Sequence, residues 1–282
     1  MKPDPRFLNQ PKSFWAHVRL IGQEVGYTDR RTGKIKIPTL REIETCFGAL
    51  RLRMDGISSA EDRLTQLGIN LFNYFRVRSD LLLSAVEPLL MNAGEARRSF
   101  QSLRVKLRPR CHIPMNKQKG KKRPPAYLTG IINMLIEANA EGLPCDYDPH
   151  KLTVVTRDGS PLRTLARRVD GAFPSAVNPI AIWEVKEYYY TTTFGSRVAD
   201  GVYESLLDGM ELEELRRVGR IRVRHYLMVD AKYTWWDCGK SYLCRLIHML
   251  HMGYVDEILF GKEVLEGVPR LVKEWVAVAR QQ

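Results

Sequence analysis

The sequence predicts an α/β (α+β) chain in which a mixed central β-sheet is flanked by helices and preceded by a mostly helical N-terminal region. Three observations lead there. Apolar residues up to residue 91 recur at three- and four-residue spacing, which lines one face of a helix. Between residues 127 and 260, short β-branched and aromatic runs alternate with helical patterns in the order αβββαβαβ, which builds a sheet with helices on its faces. Charge divides the chain as well. Residues 1–123 hold 25 Lys and Arg against 11 Asp and Glu and the remainder 19 against 21, so the net +12 lies wholly in the first part.

Thr39 followed by Glu42 has the spacing of a capping box, and Leu40, Ile43, Phe47 and Leu50 then form an apolar stripe. Further helical patterns cover residues 60–75 and 79–91. Residues 26–36 are turn-rich and basic and read as a loop or hairpin able to touch phosphates. From residue 103 to 125 the chain is strongly basic, and Gly120, Pro124 and Pro125 argue against regular structure, so it reads as an exposed loop. Phosphate contacts need positive charge but little geometry, which makes Lys117, Lys119, Lys121, Lys122 and Arg123 a backbone clamp if the partner is DNA. Charge and periodicity change together near residues 123–127. This divides the chain into a basic, mostly helical DNA-binding region, 1–125, and a second domain, 126–282.

The second domain opens with a helix at 127–138 and strands at 152–156, 164–173 and 180–190. A helix follows at 197–217 with Val198, Val202, Leu206 and Leu207 inward. A strand at 222–230, a helix at 241–252 and a strand at 255–260 complete it.

No stretch approaches the roughly 18 apolar residues of a membrane span, and the N-terminus lacks a signal-peptide core, so the cytoplasm is the expected compartment. Cys46, Cys111, Cys145, Cys238 and Cys244 are odd in number and irregularly spaced, which suits thiols used in packing. Cys244, His248 and His251 share a helical face but, with Cys238, fit no zinc pattern closely. A basic first half points to a polyanion, with nucleic acid the commonest choice.

The residues that carry chemistry lie in Arg168-Val169-Asp170-Gly171 and Trp183-Glu184-Val185-Lys186. Strand side chains alternate, so Glu184 and Lys186 share one face of an otherwise apolar strand, and a hairpin would bring Asp170 beside Glu184. Two carboxylates and an ammonium suit Mg²⁺, a hard cation that commonly takes one or two carboxylates; the Val185 carbonyl is a further candidate ligand. Thr193, Ser196 and Arg197 follow this strand and open the next helix, where hydroxyls, amides and a guanidinium would meet phosphate.

An acid on one strand and an acid-x-Lys on the next, here Asp170 and Glu184-Val185-Lys186, resembles the PD-(D/E)XK nuclease superfamily, with Val169 standing where the family name has Pro. The resemblance covers residues 127–260. It implies a restriction endonuclease-like core for 126–282 and Mg²⁺-dependent hydrolysis of double-stranded DNA, with Asp170, Glu184 and Lys186 catalytic. It also offers Glu137 on the preceding helix as a further metal ligand and implies a homodimer of the Type II restriction kind. A repair, transposition or phage-defence nuclease would use the same site. A non-catalytic DNA-binding protein and an RNA-directed protein are the rival expectations.

Overall fold

The computed structural model describes residues 1–29, 31–59, 63–116, 124–190 and 195–281. Its first elements are the helices α1 (Pro5–Leu8), α2 (Lys12–Glu24), α3 (Leu40–Ala49) and α4 (Gln66–Leu81). The capping box forms as its spacing requires: Glu42 N–H donates to Thr39 Oγ1, and the Glu42 carboxylate accepts from Thr39 N–H. Thr65 caps α4, which fixes its start at Gln66 rather than at residue 60. The expected helix at 79–91 is the tail of α4, continued as a π-helical turn, Leu82–Val86, and a 3-10 turn, Glu87–Leu89, where Pro88 removes a backbone donor.

Phe14, Val18, Ile21, Ile43, Phe47, Leu71 and Phe75 close one apolar cluster, and Met252 from the C-terminal half packs against it. Arg78, fully buried, bonds His248 Nε2 at 3.1 Å and the Lys36 carbonyl at 3.0 Å. The N-terminal helices are therefore pinned to the rest of the fold by a buried polar contact as well as by apolar packing.

Asn92 and Glu95 form a second capping box at the start of α5 (Ala93–Leu107), so the first part of the basic stretch from residue 103 is helix and not loop. The buried helix α6 (Tyr127–Asn139) packs against α5, so α5 belongs to the same core cluster as α6 although it precedes residue 125.

Strand β1 (Asp146–Tyr147) is followed by a separate hairpin, β2 (Val154–Arg157) and β3 (Ser160–Thr164), turning at Asp158 and Gly159 with φ of 50° and 77°. Next come β4 (Gly171–Phe173), β5 (Ala181–Glu187), α7 (Ser196–Glu214), β6 (Arg224–Asp230), α8 (Lys240–His251), β7 (Glu257–Phe260) and α9 (Val264–Ala279). The sheet order is β1-β4-β5-β6-β7, antiparallel across β1-β4 and β4-β5 and parallel from β5 to β7. Parallel neighbours need a crossover, which α7 and α8 supply.

Two strand expectations are corrected. The run at 152–156 joins the β2-β3 hairpin instead of the central sheet, and the strand expected over 164–173 breaks into the end of β3, an irregular stretch at 165–170, and the three residues of β4.

Alternation along β5 sorts the sheet's faces. Trp183 packs with Tyr226, Met228, Leu259 and the helices α6 and α9, whereas Ile182 packs with Leu212 and Leu215. Glu184 and Lys186 follow Ile182 and so face α7.

Candidate active site

Strand β4 ends where β5 continues. The register Gly171↔Trp183 leaves Asp170 beside Glu184, just past the last backbone pair. Side chains replace the ladder there: Asp170 N–H donates to Glu184 Oε1 at 3.1 Å, and Val185 N–H donates to Asp170 Oδ2 at 2.8 Å. In an extended strand a residue's N–H and C=O point to the same side, so the Val185 carbonyl faces the Asp170 side too.

Lys186 Nζ donates to Glu184 Oε2 at 2.7 Å and to Glu204 Oε2 at 3.1 Å. Its stem passes over Gly201 of α7, where a Cβ would stand 3.2 Å from Lys186 Cδ and 2.7 Å from the Tyr188 hydroxyl. The missing side chain is what lets the lysine cross the helix.

The structure brings together Asp170, Glu184 and Lys186 as the spacing predicts, and adds three residues that the sequence reading omits. Arg167, in the irregular stretch before β4, lays its guanidinium fork on Glu184, with Nη1 2.9 Å from Oε1 and Nη2 3.1 Å from Oε2. Its Nη1 also bonds Asp208 Oδ2 at 2.7 Å and its Nη2 bonds Glu204 Oε2 at 3.3 Å. Glu204 and Asp208 stand one turn apart on α7. Their i, i+4 spacing is visible in the sequence, but it does not separate a buried pair from a solvated one. The observed inward face runs through Ser205, Asp208 and Leu212, and Leu207, expected inward, is 43% exposed.

Glu184 and Asp208 are 0% exposed and Lys186 is 6% exposed, so the charges interact with little screening by water. Burial pushes the Glu184 carboxyl up, but Lys186 and Arg167 outweigh burial and hold it below the usual range. Asp170 is pushed up to about 6 by burial and then by the Glu184 charge. The same two causes push Asp208 up to about 7. Burial would discharge Lys186, yet Glu184 and Asp170 raise it well above its ordinary value, so its ammonium is firmly protonated.

Among the described residues, four carboxylates (Asp170, Glu184, Glu204, Asp208) face two cations (Arg167, Lys186), an excess of two negative charges once Asp170 and Asp208 are ionised. Asp208 Oδ1 is buried without a partner. No group of three or more His, Cys, Asp or Glu among them is arranged to hold a metal ion. The donor set fits Mg²⁺ in kind and number, since that ion needs only one or two carboxylates with other oxygens. It fits on one condition: each Glu184 oxygen already has two nitrogens within 3.1 Å, so one of them must give way.

Glu137 is engaged elsewhere, accepting from the Arg110 N–H at 3.2 and 2.9 Å. Ser196 and Arg197 are exposed in the first turn of α7, whose N-cap is Gly195 with no side-chain cap; the Arg197 carbonyl accepts from the Tyr188 hydroxyl at 3.3 Å. Thr193 and the clamp residues Lys117, Lys119, Lys121, Lys122 and Arg123 lie outside the described residues.

Residues 91–275 match the family described as Domain of unknown function (DUF7687). The chain belongs to that family. Residues 1–85 match a second one, Domain of unknown function (DUF7690), so the junction of the two matches runs from the end of the π-helical turn through the 3-10 turn, ahead of α5. No curated protein and no solved structure matches the chain. All six residues of the cluster lie in the DUF7687 segment. So does α8, where Cys244, His248 and His251 are buried, the two histidines against Tyr74 of the N-terminal helices. A cavity of about 400 Å³ between α2, α7 and α8 is lined by Arg19, Tyr27, Val202 and Arg245 among others and contains none of the six.

Proposed function

We propose that this chain is a Mg²⁺-dependent endonuclease that hydrolyses phosphodiester bonds of double-stranded DNA, closest in kind to a Type II restriction endonuclease. The observation that carries the reading is the reciprocal grip of Asp170 and Glu184 across the β4-β5 end, with the Lys186 ammonium on Glu184 Oε2 at 2.7 Å. The order α6, β1, β4, β5, α7, β6 supports it, being the αβββαβ order of the PD-(D/E)XK core with the β2-β3 hairpin inserted.

Asp170, Glu184 and the Val185 carbonyl would hold the ion. When bound, Mg²⁺ supplies polarisation of the phosphate and a lowered pKa for a coordinated water. Lys186, held protonated, acts as a cation and not as a base: it neutralises charge that grows on the phosphate oxygens in the transition state. Asp170 must be ionised to serve as ligand, which its environment permits above about pH 6. The basic first half, with the clamp from Lys117 to Arg123, would grip the backbone, and the enzyme would act in the cytoplasm as a homodimer.

The crowded Glu184 carboxylate favours a second reading, a DNA-binding protein of this fold without catalysis. Incubating purified protein with supercoiled plasmid and Mg²⁺, with and without EDTA, separates the two. Nicked or linear product that EDTA suppresses supports the endonuclease; a retarded but intact plasmid supports the binder. Duplex RNA in the same assay tests the choice of nucleic acid.

A further inference from the structure

We propose that Arg167 is a built-in counter-ion that holds Glu184 in the metal-free protein and moves onto Asp208 when a divalent cation arrives. The inference rests on the reading of Asp170 and Glu184 as metal ligands. It begins with the geometry of the guanidinium, which is shared between two buried carboxylates. Toward Glu184, Nη2 donates a hydrogen bond to Oε2 at 3.1 Å and Nη1 stands 2.9 Å from Oε1 as an ion pair, its own hydrogen bond going to Asp208. Toward Asp208 only one bond is made, to Oδ2 at 2.7 Å, and Oδ1 is left buried with no partner. A buried carboxylate oxygen without a donor is costly. The two carboxylates thus compete for one fork, which now gives each a single hydrogen bond and can hold either of them in bidentate fashion.

Three features make the exchange feasible. Arg167 sits in the irregular stretch between β3 and β4, so its side chain can shift without breaking a strand ladder. Its side chain is 23% exposed, and Glu204, which it also touches, is 42% exposed, so water reaches the path between the two positions. Charge balance is the third. With its carboxylates ionised the cluster carries two negative charges in excess, which a divalent cation at Asp170 and Glu184 would cancel while the guanidinium stays paired with Asp208 and Glu204. Without Arg167, Glu184 would present a less encumbered ligand at all times; with it, the buried cluster stays paired until metal binds. Arg167 is in this account a positioning residue that acts through Glu184.

The test is Mn²⁺ binding to purified protein, measured by isothermal titration calorimetry without DNA, for wild type and three variants. Arg167→Met removes the competing cation while keeping side-chain bulk, and its dissociation constant should fall about tenfold or more. Asp208→Asn removes the alternative seat, leaves the fork on Glu184, and should weaken binding by a similar factor. Arg163→Met makes the same change of charge on a guanidinium paired with Glu211 and Glu214 instead of with Glu184 and Asp208, and should leave the affinity within about twofold, because it touches neither proposed ligand. A purely structural role for Arg167 would lower the thermal midpoint without opposite shifts in metal affinity. Equal affinities for wild type and Arg167→Met would overturn the inference while leaving the endonuclease reading intact, and so would equal changes in Arg163→Met and Arg167→Met. Absence of Mn²⁺ binding by wild type at millimolar metal would instead sink the endonuclease reading beneath it. If Arg167→Met fails to fold, Asp208→Asn decides: unchanged or tighter Mn²⁺ binding there contradicts the exchange.

Discussion

At the scale of single residues, the cluster assigns separate duties that substitution can pull apart. Asp170→Ala or Glu184→Ala removes a proposed oxygen ligand without touching the basic first half of the chain, so cleavage should vanish while gel-shift affinity for duplex DNA stays within a few-fold; substantial cutting by either variant would move the site elsewhere. Lys186→Ala should keep Mn²⁺ binding and lose roughly 10²–10³-fold in turnover, the usual effect of deleting one donor to transition-state charge. Loss of metal binding equal to that of Glu184→Ala would make Lys186 structural. Asp170 also predicts a pH dependence. Because its carboxyl is pushed up to about 6, the protonated form dominates below that value, and Mn²⁺ affinity should fall about tenfold per pH unit there, since binding then displaces a proton. An affinity flat from pH 7 to pH 5 would contradict this. Glu184 and Lys186 were legible because charges inside an apolar strand stand out and alternation fixes their face, and Asp170 because a hairpin would carry it beside Glu184. Arg167, Glu204 and Asp208 were not, because a charged residue in a loop or on a helix looks the same in sequence whether it is solvated or buried against a partner.

At the scale of elements, the long periodic pieces were readable and the short ones were not. The helices α3, α6 and α8 carry enough residues for a pattern to show, and β5 to β7 stand out as apolar runs between helices and turns. Strand β1, at two residues, has no alternation, and β4 is three residues whose place is set by packing: a Cβ on Gly171 would lie inside the Trp183 indole, which is itself stacked on Trp275 at 5.5 Å and cannot retreat. Gly171→Ala should therefore cost about 2 kcal/mol or more of stability in urea denaturation, within the range of overpacked cores. A change under about 0.5 kcal/mol, the usual scale of a surface substitution, would show the β4-β5 packing to be slack. Glu187, at the end of β5, accepts the Thr129 N–H at 2.8 Å and so ties the first turn of α6 to the sheet. Burial pushes its carboxyl from 4.5 up to about 7. The folded state then holds a proton that the unfolded chain has released, so this group's stabilisation is complete below about pH 4.5 and is lost as pH rises toward 7. The thermal midpoint of the wild type should fall across that window by more than that of Glu187→Gln, and parallel profiles would refute the assignment.

At the scale of the whole molecule, the charge division and the two-part match coincide only loosely. The family junction falls between residues 85 and 91, whereas the charge changes near residue 123, and α5 lies between them, packed on α6. The reason is physical: helix packing follows apolar residues such as Ala96 and Phe100, while charge sits on the outward face and does not report which core a helix joins. Under the proposed function, the basic stretch should govern DNA affinity through phosphate-backbone contacts. Neutralising Lys117, Lys119, Lys121, Lys122 and Arg123 together should weaken specific and random duplexes alike and lower the salt slope by roughly 0.9 for each phosphate no longer neutralised. If affinity and slope were both unchanged, the DNA surface would have to be sought in residues 19–36 or the helices behind them. No helix among the described residues is long and apolar enough to cross a membrane. The most direct measurement of the central claim is plasmid cleavage by wild type beside Glu184→Ala at pH 8, with Mg²⁺ and with EDTA. Product formed only by wild type and only with Mg²⁺ is the expected result, and intact plasmid in every lane, or equal cutting by both proteins, would contradict it.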